Sequence, residues 1–98
     1  MTINKTKNDT AMTIAIAGRL ETTTAPELEA VVKSELDGVA DLTMDFSELD
    51  YISSAGLRVL LTAQKLMNRQ GKMKIVGANE IVMEIFDVTG FSDILTIE

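Results

Sequence analysis

Two hydrophobic periods alternate along this chain, and that alternation limits what it can fold into. Met12, Ile14 and Ile16 recur at every second residue, separated by Thr13, Ala15 and Ala17, and Leu42, Met44 and Phe46 do the same around Thr43 and Asp45. Side chains on a strand point to opposite faces in turn, so each run turns one apolar edge toward a core. Between the runs the period lengthens: Leu28, Val31, Val32 and Leu36 return at helical spacing. Leu57, Leu60, Leu61 and Met67 repeat that pattern further on, widened by Val59 and Leu66.

Punctuation residues sharpen the boundaries. Thr2–Lys7 reads as an opening strand and Asn8-Asp9 as the turn into the second strand, which Gly18 ends. Gly18 to Thr24 then reads as a polar loop. Thr24-Ala25-Pro26-Glu27 has capping-box spacing, with Pro26 in a first turn where its missing N–H does no harm, and Gly38 stops that helix. The second helix is predicted from Ser54 to Gln70, ended by Gly71 and followed by a strand at Lys72–Val76. Gly77-Ala78 supplies a turn and Asn79 an N-cap for a short helix through Val82, Ile85 and Phe86 that closes at Gly90. Ile94–Ile97 reads as a final short strand. The order β-β-α-β-α-β-α-β predicts an α/β fold: a mixed central β-sheet with an antiparallel opening hairpin, β-α-β crossovers, and helices packed on the sheet.

Composition then narrows the function. Ninety-eight residues, 46% of them hydrophobic, suit one domain with a true core, spanning 1–98. The chain has no Cys and no His, so disulfides, thiolate metal sites and the commonest general base are all excluded. No metal or cofactor is expected. A formal charge of −6 is repelled by phosphate backbones and anionic lipid, which argues against nucleic acid and membrane surfaces as partners. No apolar run approaches the roughly 18–20 residues that span a bilayer, and the N-terminus lacks the apolar stretch of a secretory signal. A cytoplasmic location is the expectation.

One place combines unusual residues. After the strand Leu42–Phe46, the chain runs through Ser47-Glu48-Leu49-Asp50-Tyr51-Ile52 to Ser53-Ser54-Ala55-Gly56, where the long helix begins. At least one of the two serines is expected to cap it. The same unpaired N–H groups and the positive end of the helix dipole also favour an anion, so a phosphoryl group on a serine here would sit in a favourable field. Gly56 costs up to about 1 kcal/mol against Ala in a helix, which close packing on the sheet or the approach of a partner would explain. There is no G-x-S-x-G and no His to activate a serine, so an enzyme is not expected.

Asp45 through Leu61, with Ser53-Ser54-Ala55-Gly56-Leu57-Arg58 at its centre, resembles the signature of STAS domains in anti-sigma factor antagonists, roughly D-hydrophobic-S followed by a hydrophobic pair and D-S-S-G-L-G. Gly18-Arg19-Leu20-Glu21 is similar to the family's G-x-L-D turn, Lys72–Val76 to its fourth strand, and Ile85-Phe86-Asp87-Val88-Thr89-Gly90-Phe91 to its I/L-F-x-x-x-G-L/F segment. The resemblance implies a STAS-like fold and a partner switch. An anti-sigma factor that is also a serine-protein kinase would bind the unmodified protein, phosphorylate a helix-entry serine and be released, and a serine phosphatase would reverse the mark. Aligned on D-S-S-G, Ser53 stands at the Asp and Ser54 at the first Ser, while Ala55 carries no hydroxyl to accept phosphate. The order of expectation is phosphorylation at Ser54, then no phosphorylation, then phosphorylation at Ser53. The partner-binding set is Ser53, Ser54, Ala55, Gly56 and Arg58, with Asp45 placed to face the modified serine or to start a turn, and Arg19 and Glu21 in a neighbouring loop. Tyr51 and Ile52 are expected in the core and Asp50 in solvent. The alternative is an interaction module of another partner-switching pathway, in stress, secretion or biofilm signalling, without phosphorylation. The family usually carries one more C-terminal helix, so part of the sheet is expected to be less covered or to meet a partner.

Overall fold

The computed structural model describes Met1–Glu98. Its elements are β1 (Thr2–Asn8), β2 (Ala11–Leu20), α1 (Ala25–Glu35), β3 (Asp41–Ile52), α2 (Ser54–Gln70), β4 (Lys72–Val76) and α3 (Glu80–Thr89), followed by a 3-10 turn at Phe91–Asp93. The sheet order is β1-β2-β3-β4, with β1 antiparallel to β2 and the other two pairs parallel. Successive parallel strands are thus added on the same side each time. Right-handed crossovers laid down in one direction bring their helices to one face of the sheet. Burial agrees: Met12, Ile14, Ile16, Leu42, Met44, Phe46, Met73 and Ile75 are each at most 4% exposed, whereas Thr13, Ala15, Thr43, Asp45, Lys74 and Val76 on the opposite face are only partly covered. Each such apolar side chain contributes about 1.5–3 kcal/mol when fully buried, so this face carries the stability of the sheet.

Two strands run further than their alternation indicated. β2 continues through Gly18 to Leu20, and β3 continues past Phe46 to Ile52. The cause is a pair of bulges. Ala15 pairs with Asp45 but Ala17 with Glu48, and Gly18 pairs with Leu49 but Arg19 with Tyr51. Each irregularity gives β3 one residue more than β2, so its buried side chains fall at Phe46, Leu49 and Ile52 and the period of two is lost. The loop expected from Gly18 to Thr24 therefore shrinks to Glu21–Thr24.

Other local expectations divide. The capping box does not form: Thr24 is at the N-cap position of α1 but makes no cap bond, its hydroxyl donating instead to the Arg19 carbonyl at 2.8 Å. Asn79 does cap α3, its Oδ1 accepting the Val82 N–H at 2.8 Å while its Nδ2 donates to the Leu49 carbonyl at 3.0 Å. Gly71 ends α2 and Gly90, at φ 82, ends α3. Ile94–Ile97 does not form a fifth strand; it reduces to one parallel bridge between Ile97 and Ile75.

Candidate functional site

The mouth of α2 is built on two anchors. Leu20 and Ile52, paired across β2 and β3, are at most 1% exposed, and beyond them the Ser53 N–H donates to the Leu20 carbonyl at 2.9 Å. The chain then turns into the helix, whose first ladder bond runs from the Leu57 N–H to the Ser53 carbonyl at 2.9 Å. The N–H groups of Ser54, Ala55 and Gly56 come before that bond and have no acceptor in the ladder. No acidic residue lies in the first turn of α2. The positive end of the helix is therefore left unneutralised by its own sequence.

The two serines differ sharply. Ser53 is the N-cap residue, in extended conformation, yet its side chain caps nothing; its Oγ is enclosed and without a hydrogen-bond partner. The expected serine cap is thus made by neither residue: Ser53 at the N-cap position makes no cap bond, and Ser54 follows it inside the helix. Ser54 is the first helical residue and is exposed. Ala55 is half-buried against the core cluster. Gly56 is buried, and a Cβ there would stand 2.8 Å from both the Ile52 Cγ1 and the Leu20 Cγ. Helix-to-sheet packing accounts for this glycine without a partner. Arg58 is exposed and lines a shallow groove with Thr22, Pro26, Glu29 and Val59, between the first turns of α1 and α2.

The neighbouring loop is tightly tied. Arg19 extends over the Tyr51 ring, 4.6 Å from its centroid, and its Nε donates to the Glu21 carboxylate at 3.1 Å. Tyr51 is accordingly half-buried under this cation, while Ile52 alone of that pair enters the core. The Thr24 hydroxyl accepts the Glu21 N–H at 2.8 Å as it donates to Arg19. Arg19 and Glu21 thus adjoin the helix mouth through strand pairing.

Asp45 is placed differently. It sits on the open sheet face at the first bulge, where its carboxylate accepts the Ser47 N–H at 3.0 Å and the Ser47 hydroxyl at 2.7 Å. These bonds, the backbone one first, hold its carboxyl below the usual carboxylate range. Its hydrogen bonds stabilise the bulge and none reaches the serines. Asp50 is exposed, within β3 instead of a loop. The groove residues Thr22, Pro26 and Glu29 were missed in the sequence. Their signal was topological: the loops after adjacent parallel strands β2 and β3 leave the same sheet edge and must meet there.

A mixed four-stranded sheet carrying its helices on one face is a fold shared with solved proteins. Residues 2–98 match the STAS domain, and the chain belongs to that family. BtrV of Bordetella bronchiseptica, described as an anti-sigma factor antagonist, is 34% identical over 99 residues, covering 99% of this chain and 85% of BtrV. An anti-sigma factor antagonist from Mycobacterium paratuberculosis superposes with a TM-score of 0.88 at 20% identity, covering 98% of this chain and 83% of that one. The anti-sigma factor antagonist SpoIIAA superposes with TM-scores of 0.78 in its unphosphorylated form and 0.77 in its phosphorylated form, both at 13% identity, covering 99% of this chain and 87% and 91% of SpoIIAA. The last two likenesses define the fold. No helix here is long and apolar enough to cross a membrane.

Proposed function

We propose that this protein is an anti-sigma factor antagonist that binds its anti-sigma factor through the mouth of α2 and is controlled by phosphorylation of Ser54. It acts as a binding module, with a serine kinase (the anti-sigma factor itself) and a serine phosphatase supplying the chemistry. The observation that carries this reading is the contrast between the serines: Ser54 is exposed in the first helical turn, while the Ser53 hydroxyl is enclosed. A kinase must bring its nucleotide to an accessible hydroxyl, and of the two helix-entry serines only Ser54 offers one. Ser53 and Gly56 act by shaping the turn, Ala55 and Arg58 by lining the groove beside it, and Arg19 and Glu21 by forming its rim.

The energetics suit a switch that leaves the fold intact. Phosphate on Ser54 adds about −1.5 to −2 charges at neutral pH. The helix dipole and free N–H groups favour that charge by about 0.3–1 kcal/mol, so the modified domain stays folded. Releasing a partner a hundredfold needs only about 2.7 kcal/mol, within reach of charge repulsion and lost packing at one interface.

The test is recovery of partners from the source cell with the tagged full chain, then phosphosite mass spectrometry after adding ATP to the recovered complex. Phosphate on Ser54, absent in Ser54→Ala, and release of the anti-sigma factor by Ser54→Asp are expected. A bound kinase that leaves Ser54 unmodified would overturn the phosphate control, and absence of any anti-sigma partner would overturn the reading.

A further inference from the structure

The chain exposes few large apolar side chains, and those few lie together in sequence. Ile81 is 57% exposed, Val88 77% and Ile94 47%, all in α3 and the turn that follows it. At about 100° per residue, Ile81, Ile85 and Val88 stand at i, i+4 and i+7 and form one strip along α3. Val82 and Phe86, the helix's buried residues, occupy a separate sector. Glu80, Glu84 and Asp87 form a third sector on the far flank of the strip. The α3 helix therefore has a core face, an apolar strip that is exposed at Ile81 and Val88 and half-buried at Ile85, and an acidic border.

Charge along this stretch of the chain is all of one sign. From Ile75 to Glu98 there is no Lys or Arg, while Glu80, Glu84, Asp87, Asp93 and Glu98 are all acidic. None of the acids along α3 forms an ion pair within the protein. By contrast, the exposed carboxylates Glu29 and Glu35 of α1 are paired with Lys33 and Lys5. Contiguous apolar surface with a polar rim marks an interaction surface more often than chance exposure does.

We propose that the Ile81–Ile85–Val88 strip is a docking surface for a basic amphipathic helix of another protein, separate from the mouth of α2. Two helices pack side by side through apolar ridges at i, i+4 and i+7, the spacing present here. The acidic border selects lysines or arginines alongside those anchors and repels acidic competitors. A second copy docking strip to strip would oppose like charges, and anionic lipid would meet the same repulsion. The α2 helix of a second copy brings cations, Arg58, Lys65 and Arg69, but its apolar residues Leu57, Val59, Leu60 and Met67 are already buried. Beyond these it offers only the partly covered Leu61 and Leu66 as anchors.

The test is an NMR titration of the isotope-labelled full chain with a designed helical peptide of leucine and lysine, leucines at i, i+4 and i+7, in physiological salt. Saturable shifts centred on the Ile81, Ile85 and Val88 methyls are expected, with binding weakened at least tenfold in the Ile81→Ser, Val88→Ser double variant. Both positions are exposed, and an otherwise unchanged amide spectrum verifies that the variant is folded. The matching leucine–glutamate peptide is expected not to bind. Shifts spread over other acidic surfaces, equal binding by the double variant, or equal binding of the glutamate peptide would each overturn the proposal. So would concentration-dependent dimerisation lost in the double variant, which would make a second copy the occupant.

Discussion

Replacing Ser53 by Ala should leave the protein as stable as before or make it more so, which is opposite to the usual result at a helix N-cap. An N-cap serine that accepts a backbone N–H normally costs about 0.5–2 kcal/mol when truncated. Here the Ser53 Oγ makes no such bond, is enclosed, and finds no other partner. A buried hydroxyl left unsatisfied is unfavourable by about 1–3 kcal/mol on mutational scales, and Ala removes that term. Against it stands the loss of a few dispersion contacts worth about 0.1–0.2 kcal/mol each. The expected change runs from zero to a gain of about 1 kcal/mol. Asn79 supplies an internal control, because it occupies the same position on α3 and does make the cap bond, plus a second bond to Leu49. Asn79→Ala should lose about 1–3 kcal/mol. Urea unfolding followed by circular dichroism reads both, as shifts of midpoint at constant slope. In a domain of this size 1 kcal/mol corresponds to about 4–8 °C in Tm, so the two variants separate clearly. If Ser53→Ala loses as much as Asn79→Ala, the hydroxyl is a working cap and the distinction between the two serines collapses.

Three further outcomes are expected. Gly56→Ala gains up to about 1 kcal/mol in helix propensity but forces a methyl into contact at 2.8 Å with two fully packed side chains. Overpacking of that kind costs about 1–3 kcal/mol, so thermal melts should show a net loss of about 1 kcal/mol, and a raised Tm would contradict the packing explanation. Asp45→Asn should lose under about 1 kcal/mol at neutral pH, since the carboxylate bonds to Ser47 are solvent-screened. Because the folded carboxyl titrates below its ordinary value, its contribution is present above the unfolded pKa of about 3.9 and fades as pH falls through the lower folded value. The stability gap between wild type and variant should therefore narrow below about pH 4 in urea titrations, and a gap that widens there would refute the assignment. Ser54→Asp should keep the fold within about 0.5 kcal/mol of wild type or slightly stabilise it, as an anion at a helix N-terminus does; a large loss would mean that Ser54 is packed, not presented.

The first part of each long strand, two of the three helix stops and the Asn79 cap were legible in the sequence because each depends on a local rule; α1 ends at Glu35, capped by Leu36, before Gly38. Met12–Ile16 and Leu42–Phe46 show the strand period directly, and Gly71 and Gly90 stand where their helices end. The second half of β3 was not legible, because bulges space its buried residues by three, from Phe46 to Leu49 to Ile52, and no simple template has that period. Thr24 has the right spacing for a capping box, but the Arg19 carbonyl and Glu21 N–H, brought close by the β2 terminus, take its hydroxyl first. The place of the candidate site was visible in Ser53-Ser54-Ala55-Gly56. The unlike surroundings of its two serines were not, since they arise from contacts with the rest of the fold.

The paired bulges in β3 make the helix mouth sensitive to chain length in a way that ordinary loops are not. Loops on a protein surface usually absorb an inserted or deleted residue. Between Phe46 and Ser53, by contrast, the register decides: losing Ser47 or Asp50 would erase a bulge and leave Leu49 and Ile52 inward in plain alternation, whereas adding a residue there would turn Leu49 or Ile52 outward. With such an added residue the two serines would enter α2 on altered bearings. Residues added between Phe46 and Ser53 should therefore disturb the helix mouth more than the loss of Ser47 or Asp50 does.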